Sequence, residues 1–530
     1  SMSFSSNSVQ QLSLFDQIGF LSARKQHLLD KSWAKTFSDQ IFSHIDEHIF
    51  MPLYSEKRNS RPNAPINVIV GALIIKELNG MTDDEVMESC EFDFRYQYAL
   101  HTTSFEDQPI SDRTFSRFRA RCAAYELTTG TDLIHDCITS IAEDIRGFIN
   151  ISPDIKRMDS MMIESNIRYM GRLELLYTCL SNLVKLIDKS GDAVLIKGLE
   201  HYTDPNDRNK VIYHDDTIPK AERVQTVIDD ASSLLPKCKE QYGQTDDYQL
   251  LLRAVEEQTK EDGNGRILKG KDDRMDSRTL QNPSDPDATY RIKAGKQHRG
   301  YSANLTETVD EKGSVVTEYQ YDQNIHSDVS FLSEALDGME PSTDTSVIIA
   351  DGAYDSTEIS VKAADKNIAV LTTGLSGRTP NKISSRFALS DNETSVVSCP
   401  NGNAPKASSY IKQNGQIRAS FELEQCENCP YLKECRPQLK QRTAFKLISV
   451  KAVQRLKERQ SDIETWKLIG RIRNGVETVP SIIRNKFGVD RMPIRGKLRT
   501  KQFFGFKVGA LNFIKLFRYI KGKERCRAFT

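Results

Sequence analysis

The spacing of apolar and polar positions changes character along the chain. From 8 to 60, apolar residues recur three and four apart (Leu12, Leu14, Phe15 and Ile18, then Phe37, Ile41, Ile45 and Ile49). That spacing lines one face of a helix, so the region is predicted to be mostly helical. A polar loop, SEKRNSRPNAP, follows at 55–65, and INVIVGALIIKELNGMTDDEVMESC then reads as two helices, the second capped by Thr82. In QPISDRTFSRFRARCAAYE, 108–126, Ser111 can cap a helix that gathers Phe115, Phe118 and Cys122 on one face and Arg113, Arg117 and Arg121 in a second stripe. One stripe can pack on a neighbour while the other meets phosphates; an ordinary amphipathic surface helix has the same pattern.

Residues 153–166, PDIKRMDSMMIESN, read as a strand with Asp159 in its middle. A polar helical stretch runs from 168 to 285 and opens with Leu173, Leu176, Leu180, Leu183 and Ile187 at helical spacing. From 289 to 321 the period shortens to two, predicting strands joined by turns at Lys296–Gly300 and Asp310–Gly313. A helix near 328–338, a strand in VIIADGAYDS (347–356) and a strand over 367–374 come next. The alternation breaks at 376–450 and becomes helical again from 451. Taking 168–285 and 376–450 as inserts leaves a compact α/β unit within 151–530, preceded by a helical region over 1–150. The chain is thus expected to be multi-domain and α/β, with an all-α N-terminal part.

Charge alters this picture at the C-terminal end. The 530 residues carry 73 Lys plus Arg and 73 Asp plus Glu. Residues 436–530 alone hold 25 basic against 6 acidic residues, a net +19. Such an excess repels itself unless a polyanion or a solvated surface relieves it, and nucleic acid is the leading polyanion. Arg491, Arg495, Lys497, Arg499 and Lys501 form a basic run ahead of Phe503, Phe504 and Phe506; the cations suit a DNA backbone and the rings suit a core. Lys293, Lys296, His298 and Arg299 sit at an expected hairpin tip, where they read either as DNA contacts or as a solvated turn. No secretory signal and no membrane-length apolar run are recognised, so no membrane span is expected; the uneven cysteine distribution, unlike a secreted disulfide framework, predicts a reducing, cytoplasmic setting.

Two carboxylates occupy unusual places. Val347–Ala350 is a buried-strand pattern, yet Asp351 follows it directly and Gly352 marks a turn. Asp351 reads as a turn former or as a group delivered to a site by the strand end. Asp159 lies within another strand. A third candidate, Glu477, stands in RIRNGVETVPSIIRNKFG between Arg473 and Arg484; on a straight helix the three fall within roughly 40° of one another. Pro480 is expected to kink that helix near Val476. Glu458 and Glu464 are alternatives to Glu477. Three carboxylates of this kind suit two divalent cations roughly 4 Å apart that activate a nucleophile on a phosphodiester, with arginines gripping the phosphate.

These motifs resemble the DDE transposases of bacterial insertion sequences, whose catalytic domain has the RNase H-like mixed-sheet fold. The resemblance rests on Asp351-Gly352-Ala353-Tyr354, on Asp159 in MDSMMIES, and on Arg473 and Glu477 at the family spacing; Gly470 and Arg484 stand where the family has Tyr and Lys. SDPDATYRIKAGKQHRGY (284–301), Cys399-Pro-x-Gly402 and RGKLRTKQFFGFKVGALNFIKL (495–516) resemble the IS-eleven-eighty-two type most. The resemblance implies Asp159, Asp351 and Glu477 as catalytic ligands of Mg²⁺ or Mn²⁺, double-stranded DNA as partner through the N-terminal helices and the basic C-terminal part, a homodimer joining two element ends, and a nucleoid location. It also implies DNA contacts by Arg473 and Arg484. Two alternatives remain open: a transposase-derived DNA-binding regulator without catalysis, and an RNase H-like nuclease.

Ten cysteines divide into two groups. Cys90, Cys122, Cys137, Cys179, Cys238 and Cys526 are isolated and expected in cores or incidental. Cys399, Cys426, Cys429 and Cys435, with intervening gaps of 26, 2 and 5 residues, predict a structural Zn²⁺ site stapling the 376–450 insert. Free or oxidised thiols are the alternative.

Overall fold

A computed structural model describes residues 2–7, 16–55, 61–104, 108–214, 217–293, 295–373 and 381–522. Leu12, Leu14, Phe15, Gly374 and Cys526, which figured in the sequence reading, lie outside the described residues.

The N-terminal part is helical, as expected. Helices α1 (Ile66–Asn79), α2 (Asp83–Phe92), α3 (Asp112–Thr129) and α4 (Leu133–Ile149) follow short helical pieces. Thr82 caps α2 in a reciprocal capping box with Glu85. Phe115, Phe118 and Cys122 are buried on one face of α3, as their spacing required.

The sheet begins with β1 (Ile155–Glu164). An insert follows, built from α5 (Arg172–Lys189), α6 (Lys220–Tyr242) and α7 (Asp246–Gln258) around a hydrophobic core of its own that includes Leu173, Leu176, Leu180, Leu183 and Ile187. The chain then returns through β2 (Thr289–Lys293), β3 (Lys296–Asp310) and β4 (Gly313–Gln323), and crosses by α8 (Asp328–Gly338) to β5 (Ser346–Ala350) and by α9 (Thr357–Ala364) to β6 (Ile368–Thr372). The strand order is β4–β3–β1–β5–β6, with β2 pairing the first residues of β3. Strands β4, β3 and β1 pair antiparallel with one another, whereas β5 and β6 extend the sheet from β1 in parallel. This mixed α/β sheet is the arrangement the resemblance implied. One turn differs: Lys296–Gly300 is strand, and Lys293 pairs with Lys296 across a two-residue loop. Gly295 has φ of 77°, which such a loop favours. The turn between Asp310 and Gly313 falls where expected.

A second sheet, of β7 (Ala407–Ile411), β8 (Gln416–Glu422), β9 (Gln438–Leu439) and β10 (Thr443–Ser449), carries the cysteines in order β7–β8–β10–β9. Helices α10 (Val450–Ser461), α11 (Ile463–Val476), α12 (Thr478–Asn485) and α13 (Lys497–Ile520) close the fold. The last of these is apolar along most of its length, and Phe503 to Phe513 are buried. It lies in a core shared by the N-terminal helices and by one face of β3 and β4. Part of the C-terminal positive charge is neutralised within the chain. Lys501 pairs with Glu126 and Asp132 at 2.8 and 2.9 Å, Lys507 with Glu77 at 2.6 Å, and Lys515 with Glu307 at 2.8 Å.

Candidate active site

The parallel register of β1 and β5 sets the geometry. Ile155 pairs with Val347 and Arg157 with Ile349. Carried two residues further, the same offset brings Asp159 level with Asp351, just past the end of β5 at Ala350. Two carboxylates far apart in sequence therefore meet because one strand stops where its neighbour continues. The turn after Asp351 is fixed at several points. The Ala353 amide donates to Asp351 Oδ1 at 2.7 Å. Tyr354 is buried, and its hydroxyl donates to Asn304 Oδ1 on β3 at 2.6 Å. Asp355 is held by Lys451 at 2.8 Å and Arg455 at 3.6 Å from α10.

The third acid arrives on a broken helix. Glu477 stands between α11 and α12, and Pro480 lies in the first turn of α12, so the kink falls next to Val476 as expected. Arg473, one turn earlier, reaches all three acids. Its guanidinium lies 3.8 Å from Asp159 Oδ1 and 3.6 Å from Asp351 Oδ2, and it forms an ion pair with Glu477. Accessibility rises across the set, from 15% for the Asp159 side chain through 38% for Asp351 to 57% for Glu477. Burial, opposed by Arg473 and reinforced by the charge of Asp351, pushes the Asp159 carboxyl up to about 6. The Nε of Arg473 is buried with no acceptor among the described residues.

Arg484 does not join this group. Arg484 instead binds Asp490 at 2.8 Å and the Met162 carbonyl at 2.6 Å. Glu458 and Glu464 pair with Arg455 and Lys467 on their own helices. Arg113 and Arg117 are exposed on α3, while Arg121 is half-buried with its guanidinium 5.2 Å from the Tyr54 ring. Lys293 and Lys296 are exposed at the hairpin tip; His298 bonds Glu164, and Arg299 stacks on Tyr169 and Tyr290. Lys497 pairs with Asp322, and Arg495 donates to the Asn166 carbonyl. Arg491 and Arg499 are exposed and line a cleft of about 680 Å³ between α1, α2 and the segment ahead of α13, together with Lys76, Arg119, Lys486 and Lys507. Sequence reasoning missed Asn304 and Asp355, whose role is to hold the Asp351 turn; Asp355 carried a signal, being a second acid four residues after Asp351.

The described cysteines are free thiols. Cys90, Cys122, Cys137, Cys179 and Cys238 are buried, as expected. Cys399, Cys426, Cys429 and Cys435 line one small cavity of about 30 Å³. Burial and the neighbouring thiols push Cys426 up to about 11. Among the described residues, no three His, Cys, Asp or Glu side chains are disposed as a ready metal cage, at either the cysteines or the acids.

The protein is thus an α/β protein whose mixed sheet gathers separated carboxylates and an arginine at one strand end. Two segments match transposase families: residues 398–517 match the family model described as Transposase DDE domain, and residues 26–121 match that described as Transposase domain (DUF772). Such matches are typical of insertion-sequence transposases. The first segment contains Arg473 and Glu477 but neither Asp159 nor Asp351; the second contains Arg113, Arg117 and Arg121. No curated protein and no solved structure matches the chain. No described helix is long and apolar enough to cross a membrane.

Proposed function

We propose that the protein is a DNA transposase that binds the inverted ends of its element and cleaves and rejoins phosphodiesters at Asp159, Asp351 and Glu477. The observation that carries this reading is the convergence of these three remote carboxylates on Arg473. The donor set fits a hard divalent cation: all three are carboxylates, and a cationic guanidinium already lies among them. When bound there, Mg²⁺ or Mn²⁺, as one or two ions, would activate the attacking oxygen and stabilise the leaving one. The chain's own groups do the rest. Asp351 is presented by its fixed turn and Asp159 by the sheet. Arg473 keeps the carboxylates together, and its guanidinium is the cation beside which a phosphate oxygen would lie. The assay is cleavage of an inverted-repeat duplex, with and without magnesium; preference for RNA–DNA hybrid without end recognition would favour a nuclease, and end binding without cleavage a regulator.

DNA contact falls to cations that form no ion pair among the described residues. Arg113 and Arg117 on α3, Arg491 and Arg499 at the cleft, and Lys296 at the hairpin tip are the strongest candidates, whereas Arg484, Lys497 and Arg299 are already engaged. Arg113→Ala and Arg117→Ala are each expected to weaken end binding and to lower the slope of log K against log salt by about 1, measured by fluorescence anisotropy across a salt series. Two ends must be brought together, so the working form is a homodimer on DNA in a bacterial cytoplasm. The 284–301 and 495–516 stretches favour the IS-eleven-eighty-two type.

The four thiols around one cavity fit structural zinc in chemistry and number. The purified protein is expected to hold one zinc per chain by elemental analysis, and Cys429→Ser to reduce this at least about tenfold and lower the melting temperature. Zinc content unchanged by Cys429→Ser would show that the cluster is a set of free thiols.

A further inference from the structure

Two residues before Asp159, on the same face of β1, Arg157 is buried beneath α11. Its Nε donates to Glu307 Oε2 on β3 at 2.7 Å, and its Nη1 donates to the Ile472 carbonyl at 2.9 Å. Ile472 lies in the last turns of α11, next to Arg473 and five residues before Glu477. Glu307 is completed from the other side by Lys515 of α13 at 2.8 Å, and that lysine also donates to Ser314 at 2.7 Å. Burial works against the Glu307 charge, but Lys515 and Arg157 outweigh it and hold the carboxylate ionised. Gly475 completes the fit. A Cβ there would collide with the Arg157 guanidinium, so the helix passes that cation only because position 475 has no side chain.

We infer that Arg157 is a positioning residue for the candidate site: through the Ile472 carbonyl and the gap at Gly475 it sets where α11 ends, and hence where Arg473 and Glu477 stand relative to Asp159. A guanidinium suits this task because its fork can bind a carboxylate and a carbonyl at once. A cation at the last turn of a helix also matches the negative end of the helix dipole. Strand β1 thereby supplies one acid directly and fixes the helix that delivers another. This inference rests on the catalytic reading of the three acids for its functional consequence, though not for its structural one.

The test uses Gly475→Ala, which changes no charge, and Arg157→Lys, which keeps the pairing with Glu307 but loses the fork. Amide hydrogen exchange of the full-length protein in chelator reads the structural part. Exchange over 469–477 is expected to quicken at least about tenfold in Gly475→Ala, while the rest of the sheet stays protected. Arg157→Lys is expected to fall between this variant and the parent. On an inverted-repeat substrate, the turnover rate at saturating DNA is expected to fall at least about tenfold in Gly475→Ala, with the half-saturating DNA concentration changed less than about threefold. Unchanged exchange over 469–477, or a weakened affinity for DNA with full turnover, would overturn the inference. If the parent protein cleaves no DNA, the functional reading fails, and the exchange data alone decide whether Arg157 positions α11. If Gly475→Ala does not fold, Arg157→Lys decides by the same two measurements.

Discussion

Asp351→Asn is expected to abolish strand cleavage, by about 10³-fold or more, while leaving binding to element ends within about twofold. The substitution keeps size and the hydrogen bond from the Ala353 amide, so the turn to Tyr354 should survive. It removes a charge from a group of three carboxylates whose combined negative potential would hold the divalent cation. Losing an anionic donor from such a set weakens both the capture of the ion and its placement against the phosphate, and each tenfold loss corresponds to about 1.4 kcal/mol at the transition state. The comparison is made with parallel measurements on one preparation: nicking of a labelled inverted-repeat duplex in magnesium, and anisotropy of the same duplex in chelator. Cleavage at the parent rate would remove Asp351 from the chemistry and with it the transposase reading. Loss of both binding and cleavage would point to a collapsed turn rather than to a missing ligand.

The largest effect on stability is expected at Glu307. It is fully buried between Arg157 and Lys515. Glu307→Ala leaves two buried cations facing each other with no anion, a situation that costs about 3–5 kcal/mol in other proteins because neither charge regains water. Urea denaturation should show a midpoint shifted to lower concentration by about that energy divided by the m-value. The same group gives a signed pH dependence. Its folded carboxyl titrates at about 2, below the ordinary 4.5. The unfolded chain therefore binds the proton first, so the stability contributed by Glu307 is complete above about 4.5 and drains away as pH falls towards 2. The parent and Glu307→Gln should accordingly converge in stability on acidification. A gap that stays constant from neutral pH down to 3 would show that the ion triad contributes nothing through its charge.

Sequence pattern was a good guide wherever a face had to be buried. Phe115, Phe118 and Cys122 on α3, and the Leu173 to Ile187 series on α5, became cores because periodic apolar spacing leaves few other solutions. The strand ending at Asp351 was legible for the same reason, since Val347 to Ala350 had to be covered and the next residue could not be. Charged positions were less legible. Spacing alone placed Arg484 beside Glu477, but in the fold its guanidinium binds Asp490 and the β1 backbone. The net +19 of the C-terminal part looked like a demand for a polyanion; part of the answer was internal, because acids such as Glu77, Glu126 and Glu307, far away in the chain, fold against those lysines. A linear sum of charge does not show which acids the fold will bring near. Arg157 was invisible for a related reason. Its partners are a carbonyl and an acid on other elements, and neither leaves a mark in its own neighbourhood of the sequence.

The terminal helix has a bearing on how the molecule comes into being. Because α13 fills the core between α1, α4 and the sheet, the apolar surface of those helices, made hundreds of residues earlier, is covered only once α13 has been made. A chain cut short ahead of α13 would keep an open interior, a substrate for proteases and chaperones. The wiring of the fold thus makes α13 a check on synthesis: only a copy that carries it can shelter its core.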